Sequence, residues 1–201
     1  MGPVIPILGD SVVSKGRETL ERAIQYIETN SNLDKIKEWN GCRVVYGDTD
    51  SLFVVLPGRT IQEAFDIGNQ MAKAVTMDNP KPVKLKFEKV YRPCILQTKK
   101  RYVGYMYENV DQKMPDFDAK GIETVRRDGI PLSAKILEKS LRILFESEDL
   151  SLVKRYVQLQ FSKIMTGRAS LQDLTFAREF RGISGYKPGA CVPSLELTRY
   201  L

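Results

Sequence analysis

Apolar positions recur at helical spacing over residues 11–29, where Val13, Leu20, Ile24 and Ile27 alternate with charged side chains and predict an amphipathic helix. Ser31, Asn32 and Asp34 break that pattern. From Cys42 the period shortens. Val44-Val45-Tyr46 and Leu52-Phe53-Val54-Val55-Leu56 read as two buried strands of a hairpin, with Gly47, Asp48, Thr49 and Asp50 at its tip and Pro57-Gly58 closing it. Thr60 with Glu63 forms a capping box for a helix to about Val75, whose Ala64, Phe65, Gly68, Met71 and Ala72 make one buried face. Asn79-Pro80 stops it. Residues 83–107 read as strands, broken near Pro93 and again around Thr98 to Arg101.

Beyond residue 120 the pattern turns helical. Asp128 and Pro131 suit a helix start, and Leu137, Leu141 and Leu144 share a side of the helix that follows. A second helix is predicted from Ser151 to Met165, with Val153, Val157, Phe161 and Ile164 facing a core and Gly167 ending it. Residues 170–201 carry no decisive pattern. The fold class is therefore α+β, with antiparallel strands and helices first and a mainly helical part afterwards. The composition shift at Gly121 to Asp128 divides the chain into domains 1–124 and 125–201.

Composition narrows the chemistry. The 201 residues contain no histidine, which excludes a Ser-His-Asp triad, a Cys-His dyad and a His-ligated zinc site within them. Three cysteines at irregular spacing predict free thiols rather than a disulfide framework. Any catalysis must rest on carboxylates, lysines, arginines, hydroxyls or bound metal. The 31 basic and 25 acidic residues leave a net charge of +6, which permits a polyanionic partner without demanding one. No apolar run is long enough to span a bilayer, no signal-peptide pattern opens the chain, and Pro6 stands where a myristoylation motif takes Ser or Thr, so no membrane partner is expected.

Three segments carry candidate chemistry. Tyr46-Gly47-Asp48-Thr49-Asp50-Ser51 places two carboxylates one residue apart. On one strand both would face the same side and hold a hard divalent cation; with a turn between them only one is a primary ligand. Asp-rich turns are usually only solvated, but two flanking strands hold this one rigidly. Lys99-Lys100-Arg101-Tyr102 sets three cations beside an aromatic ring, suited to a nucleic-acid backbone. Arg126-Arg127, close to a helix start, oppose the helix dipole and call for an anion, either Asp128 or a phosphate.

These segments together resemble family B DNA polymerases. Tyr46 to Ser51 is similar to the family's C-motif, Lys99 to Tyr102 to its KKRY motif, and Lys120-Gly121-Ile122-Glu123-Thr124-Val125-Arg126-Arg127-Asp128 to its palm-to-thumb junction. The stretch Pro82 to Tyr91, Gln97-Thr98 and Phe117-Asp118-Ala119 is most similar to the family's translesion branch, the replicative branch being the near rival. A segment of the type DxxSLYPS, which brings another metal-binding Asp, and a fingers motif of the type KxxxNSxYG are not found in these residues. The resemblance thus implies the C-terminal part of an antiparallel palm with packed helices, then the beginning of a helical thumb, inactive by itself.

The same resemblance implies two-metal-ion nucleotidyl transfer onto a primer 3′-end, with two Mg2+ ions as cofactors. Asp50 would bridge both ions, Asp48 would be a weaker or indirect ligand, and Glu88 a further acid nearby. Thr49 would contact the nucleotide. Lys100 would reach the minor groove at the primer end, with Lys99, Arg101 and Tyr102 holding that strand and Arg126 and Arg127 gripping duplex phosphates. Implied partners are primer-template DNA, deoxynucleoside triphosphates and accessory polymerase subunits, in the nucleus. The family's iron-sulfur or zinc sites would lie outside this chain. A non-catalytic palm-like nucleic-acid-binding module is the alternative from another functional class, and a protein-interaction fragment ranks below it.

Overall fold

The computed structural model describes residues 6–32, 36–175, 179–187 and 189–198; of the expected break, Ser31 and Asn32 are still helical and Asp34 lies outside the described residues. The fold is α+β, in two compact units, one ending at Lys120 and the other beginning at Gly121.

The first unit opens with α1, Pro6–Asn32. Among its described side chains the buried ones lie in the C-terminal half: Ala23 and Ile27 are buried, whereas Val13, expected on the inner face, is 73% exposed. A short 3-10 turn, Lys37–Trp39, then drives the Trp39 indole into the core. The strands β1, Arg43–Asp48, and β2, Ser51–Val55, form an antiparallel hairpin, followed by α2, Ile61–Asp78. One core joins these elements: Ala23 and Ile27 of α1, Trp39, Cys42, and Ile67, Met71 and Val75 of α2, with Val44, Leu52 and Val54 packed against it.

The capping box forms as expected, the Thr60 hydroxyl accepting from the Glu63 N–H at 3.2 Å and the Glu63 carboxylate from the Thr60 N–H at 2.8 Å. The buried face of α2 contains Ala64, Phe65, Met71 and Ala72 as predicted, with Ile67 and Val75 added. Gly68 is there for space. A Cβ on it would stand 2.3 Å from Phe87 Cε2, and Phe87 meets Phe65 edge-on at 5.4 Å. Gly68→Ala should therefore lower stability by about 1–3 kcal/mol through overpacking, less about 1 kcal/mol gained in helix propensity. A chemical denaturation curve checks this, and a stabilised variant would refute the contact.

Residues 83–89, read above as strand, join no ladder. Their backbone bonds instead to α2: the Thr76 hydroxyl accepts from the Leu85 N–H at 2.9 Å and donates to the Ala72 carbonyl at 2.7 Å. A second sheet, in the order β3-β4-β5, follows with Val90–Thr98, Arg101–Tyr107 and Asp116–Lys120, all antiparallel. Between Tyr91 and Cys94 the β3 register slips past Pro93, which has no N–H to give. Gly104 lies beneath that bulge; a Cβ there would come within 2.6 Å of the Pro93 carbonyl oxygen.

The second unit is built on a helical hairpin, α3 (Pro131–Ser147) and α4 (Leu150–Met165). Ile130, not Asp128, is the N-cap of α3, and Pro131 opens it. Asp149 caps α4 by accepting from the Ser151 N–H. Gly167, at φ +69°, ends α4 with its N–H on the Ile164 carbonyl while Arg168 donates to Lys163, a Schellman closure. Phe145 is buried, but Phe161, predicted to face the core, is 57% exposed, and no α4 residue is buried. Two short helices follow, α5 (Leu171–Leu174) and α6 (Pro193–Leu197), with Lys135 of α3 paired to Asp173 of α5 at 2.6 Å.

Candidate metal and nucleic-acid site

The phase of β1 decides where its acids point. Val44 pairs with Val54 and Tyr46 with Phe53, so Val45 is the extra residue of a bulge. Partners across a ladder share a face. Val44 therefore sits with Val54 against the core, whereas Tyr46, two residues on, joins Phe53 on the opposite face, their rings 5.6 Å apart. Asp48, two residues beyond Tyr46, falls on that same outward face. The hairpin flanks are half-buried rather than buried, and Val45 is exposed.

The tip is tighter than the four residues expected. Asp48 pairs with Ser51, leaving Thr49 and Asp50 as a two-residue turn closed by the Asp50 N–H on the Asp48 carbonyl at 2.6 Å. The turn thus separates the two acids, which do not share a strand. Thr49 has φ +54°, a left-handed conformation that costs a β-branched residue about 1–3 kcal/mol. The Asp48 carboxylate accepts from the Thr49 hydroxyl at 3.2 Å and faces Lys100 Nζ at 3.7 Å. Among the described residues, no hydrogen bond or ion pair engages the Asp50 carboxylate, which is exposed.

Lys99 and Lys100 form the corresponding turn of the second hairpin, between Thr98 and Arg101, and Lys100 also has a positive φ of 61°. The two tips meet. The Lys100 backbone N–H donates to the Tyr46 hydroxyl at 2.7 Å, holding the basic turn against the acidic one. Behind them Phe53 stacks on Tyr91 at 5.7 Å and meets Tyr102 edge-on at 5.0 Å, so Tyr102 belongs to a ring cluster rather than standing free.

Asp118 of β5 lies under this cluster with a side-chain exposure of 13%. It accepts from the Tyr91 hydroxyl at 2.5 Å and pairs with Lys89 at 3.4 Å and Lys120 at 3.1 Å. Burial alone would raise its carboxyl, but the hydrogen bonds from Tyr91 and Lys120 and the charges of Lys89 and Lys120 outweigh that and hold it below the usual range. Burial first, then the bond to Asp118, pushes the Tyr91 phenol far up, so it remains a donor. Burial and the Asp118 charge push the Cys94 thiol up to about 11. Cys42, Cys94 and Cys191 are all free.

The remaining predicted residues lie outside the elements that form these tips. Glu88 is exposed just ahead of β3, and among the described residues no three Asp, Glu or Cys side chains group into a metal-holding set. Arg126 and Arg127 belong to the second unit, four or more residues ahead of α3. The anion that Arg126 called for is Asp128, bound through both carboxylate oxygens, and this pairing raises the guanidinium pKa. Sequence reasoning gave no role to Tyr46, Phe53, Tyr91 or Asp118. The signal for Asp118 was an acid set between Phe117 and Ala119 in a strand.

Hard oxygen donors at the Asp48–Asp50 tip suit a divalent cation, as a half-site that needs further ligands. This tip, the facing lysine turn and the α+β scaffold define a class. The chain belongs to DNA polymerase family B, whose family model matches residues 6–200. It is 68% identical over 96% of its length to the DNA polymerase zeta catalytic subunit of Drosophila melanogaster and 64% identical over the same share to that of Homo sapiens. It is 32% identical over 85% of its length to the DNA polymerase delta catalytic subunit of Schizosaccharomyces pombe. The chain spans 9% of the fly protein, 6% of the human one and 16% of the yeast one. Among the described residues, no helix is long and apolar enough to cross a membrane.

Proposed function

We propose that this chain is the acid-bearing palm region and the start of the thumb of a DNA-directed DNA polymerase. It extends a primer 3′-end from deoxynucleoside triphosphates, in translesion synthesis in the nucleus, alongside accessory subunits. The observation that carries this reading is the contact between the two tips, which sets the acidic turn, with Asp48 facing Lys100 and the Asp50 carboxylate uncommitted, against a lysine turn. Mg2+, when bound, would supply positive charge to offset the negative charge that develops on the transferring phosphoryl group. Asp50 is the principal holder and Asp48 the weaker one, since Thr49 and Lys100 already engage the Asp48 carboxylate. Glu88 is a further acid for the same site, and Thr49 orients the incoming nucleotide.

Lys100, 64% exposed at its side chain, donates into the minor groove of the primer end, where acceptors recur on every base pair. Lys99, Arg101 and Tyr102 hold that strand, and Arg126 and Arg127 take duplex phosphates in the thumb. The 201 residues by themselves are inactive, because the acids they carry do not complete the metal site.

Lys100→Ala in the full-length polymerase tests the reading. It should weaken primer-template binding about tenfold, as loss of one charged hydrogen bond predicts, and lower the salt slope by about one unit at most. Unchanged affinity and extension rate would remove the minor-groove role.

A further inference from the structure

A continuous line of contacts runs from Asp118 to the lysine turn. The Asp118 carboxylate takes the Tyr91 hydroxyl at 2.5 Å, and the Tyr91 ring stacks on Phe53 at 5.7 Å. Phe53 packs on Tyr46 at 5.6 Å, and the Tyr46 hydroxyl receives the Lys100 N–H at 2.7 Å. Tyr102, which follows the turn in β4, closes the block against both Phe53 and Tyr91. The two turns are joined by this line and by the Lys100–Asp48 ion pair. Each has a non-glycine residue at positive φ, and the Lys100–Asp48 ion pair is an exposed contact worth little by itself.

We propose that Asp118 is a positioning residue for Lys100, holding the lysine turn at its working place beside the acidic tip through Tyr91 and the ring block. The inference rests on the proposed role of Lys100 at the primer end. Asp118 itself touches neither primer nor metal. Its side chain is mostly buried, and its partners are Tyr91, Lys89 and Lys120. Fixing the Tyr91 hydroxyl fixes the ring plane, and a ring plane in edge and stacking contact with two others leaves them little freedom to turn. Lys89 adds to this anchor by lying over the Tyr91 ring, 5.7 Å from its centroid.

The sign of the effect separates positioning from plain electrostatics. Deleting a negative charge beside a DNA-binding surface should by itself tighten DNA binding. A displaced lysine turn should weaken it.

The test is a double-mutant cycle in the full-length polymerase with Asp118→Asn, Tyr91→Phe and Lys100→Ala, reading primer-template affinity, its salt slope and the KM for nucleotide. Asp118→Asn keeps shape and an acceptor, and Tyr91→Phe keeps the ring and all charges, so either serves if the other folds poorly. Each is expected to weaken primer-template binding about fivefold with nucleotide KM within twofold, and to cost less than twofold more once Lys100 is alanine. Equal losses with and without Lys100 would make Asp118 a general structural residue and overturn the inference, while leaving the Lys100 role intact. Tighter or unchanged binding in both variants would overturn it as well. If Lys100→Ala alone changes nothing, the Lys100 reading fails and the inference falls with it.

Discussion

Asp50→Asn in the full-length polymerase is expected to cut nucleotide addition by about a thousandfold or more, with primer-template affinity changed only a few-fold. The substitution isolates charge. Asp50 is exposed in a two-residue turn, and among the described residues its carboxylate has no partner whose loss could disturb the fold. Asparagine has the same shape and leaves the Asp50 N–H on the Asp48 carbonyl, so the turn should close as before. What disappears is an anionic oxygen ligand for a hard cation. Asp48→Asn should cost less, because the Asp48 carboxylate is already shared with Thr49 and Lys100. Steady-state primer extension checks both, and synthesis at a normal rate by the Asp50 variant would remove its metal-ligand role.

The second large effect concerns the platform beneath the tips. Trp39→Ala should destabilise the chain by about 3–5 kcal/mol, a large share of the 5–15 kcal/mol typical of a domain. Trp39 is 1% exposed within the cluster formed by α1, α2 and the first hairpin, and it meets Tyr26 edge-on at 6.5 Å. Its indole Nε1 is buried and finds no hydrogen-bond partner among the described residues. Trp39→Phe therefore sacrifices no hydrogen bond and should cost about half as much or less. Denaturation followed by far-UV circular dichroism checks the pair, since the chain's single tryptophan is itself removed. Equal losses for both variants would mean that the indole is bonded after all.

The elements with strong local grammar were legible in the sequence. Thr60 and Glu63 announce α2, Pro131 announces α3, and Gly167 ends α4 by local rules that need no tertiary contact. The errors lie where distant contacts decide. Val13 has helical spacing but belongs to the half of α1 that packs on nothing described, and Phe161 keeps a core-like period on a helix with no buried residue. Residues 83–89 have strand-like alternation, yet Thr76 takes the backbone hydrogen bond that a neighbouring strand would have taken.

The site divides in the same way. Its charged residues are adjacent in sequence and stand out as motifs. Its supports are not: Tyr46, Phe53, Tyr91 and Asp118 come from four strands, and only the folded registers of two hairpins and β5 bring them together. The separation of Asp48 from Asp50 by the turn also depended on pairing Asp48 with Ser51, which spacing alone left open.

The Val45 bulge gives the first hairpin a property that strict alternation would not. Because one residue is supernumerary, a chain lacking Val45 would run Val44 straight into Tyr46 and still keep Val44 inward and Tyr46 and Asp48 outward. What would change is the bend and added twist that a bulge imposes on its strand. Which way a side chain faces and where the whole tip is aimed are thus separately adjustable along β1. A one-residue shortening at the bulge moves the second and spares the first.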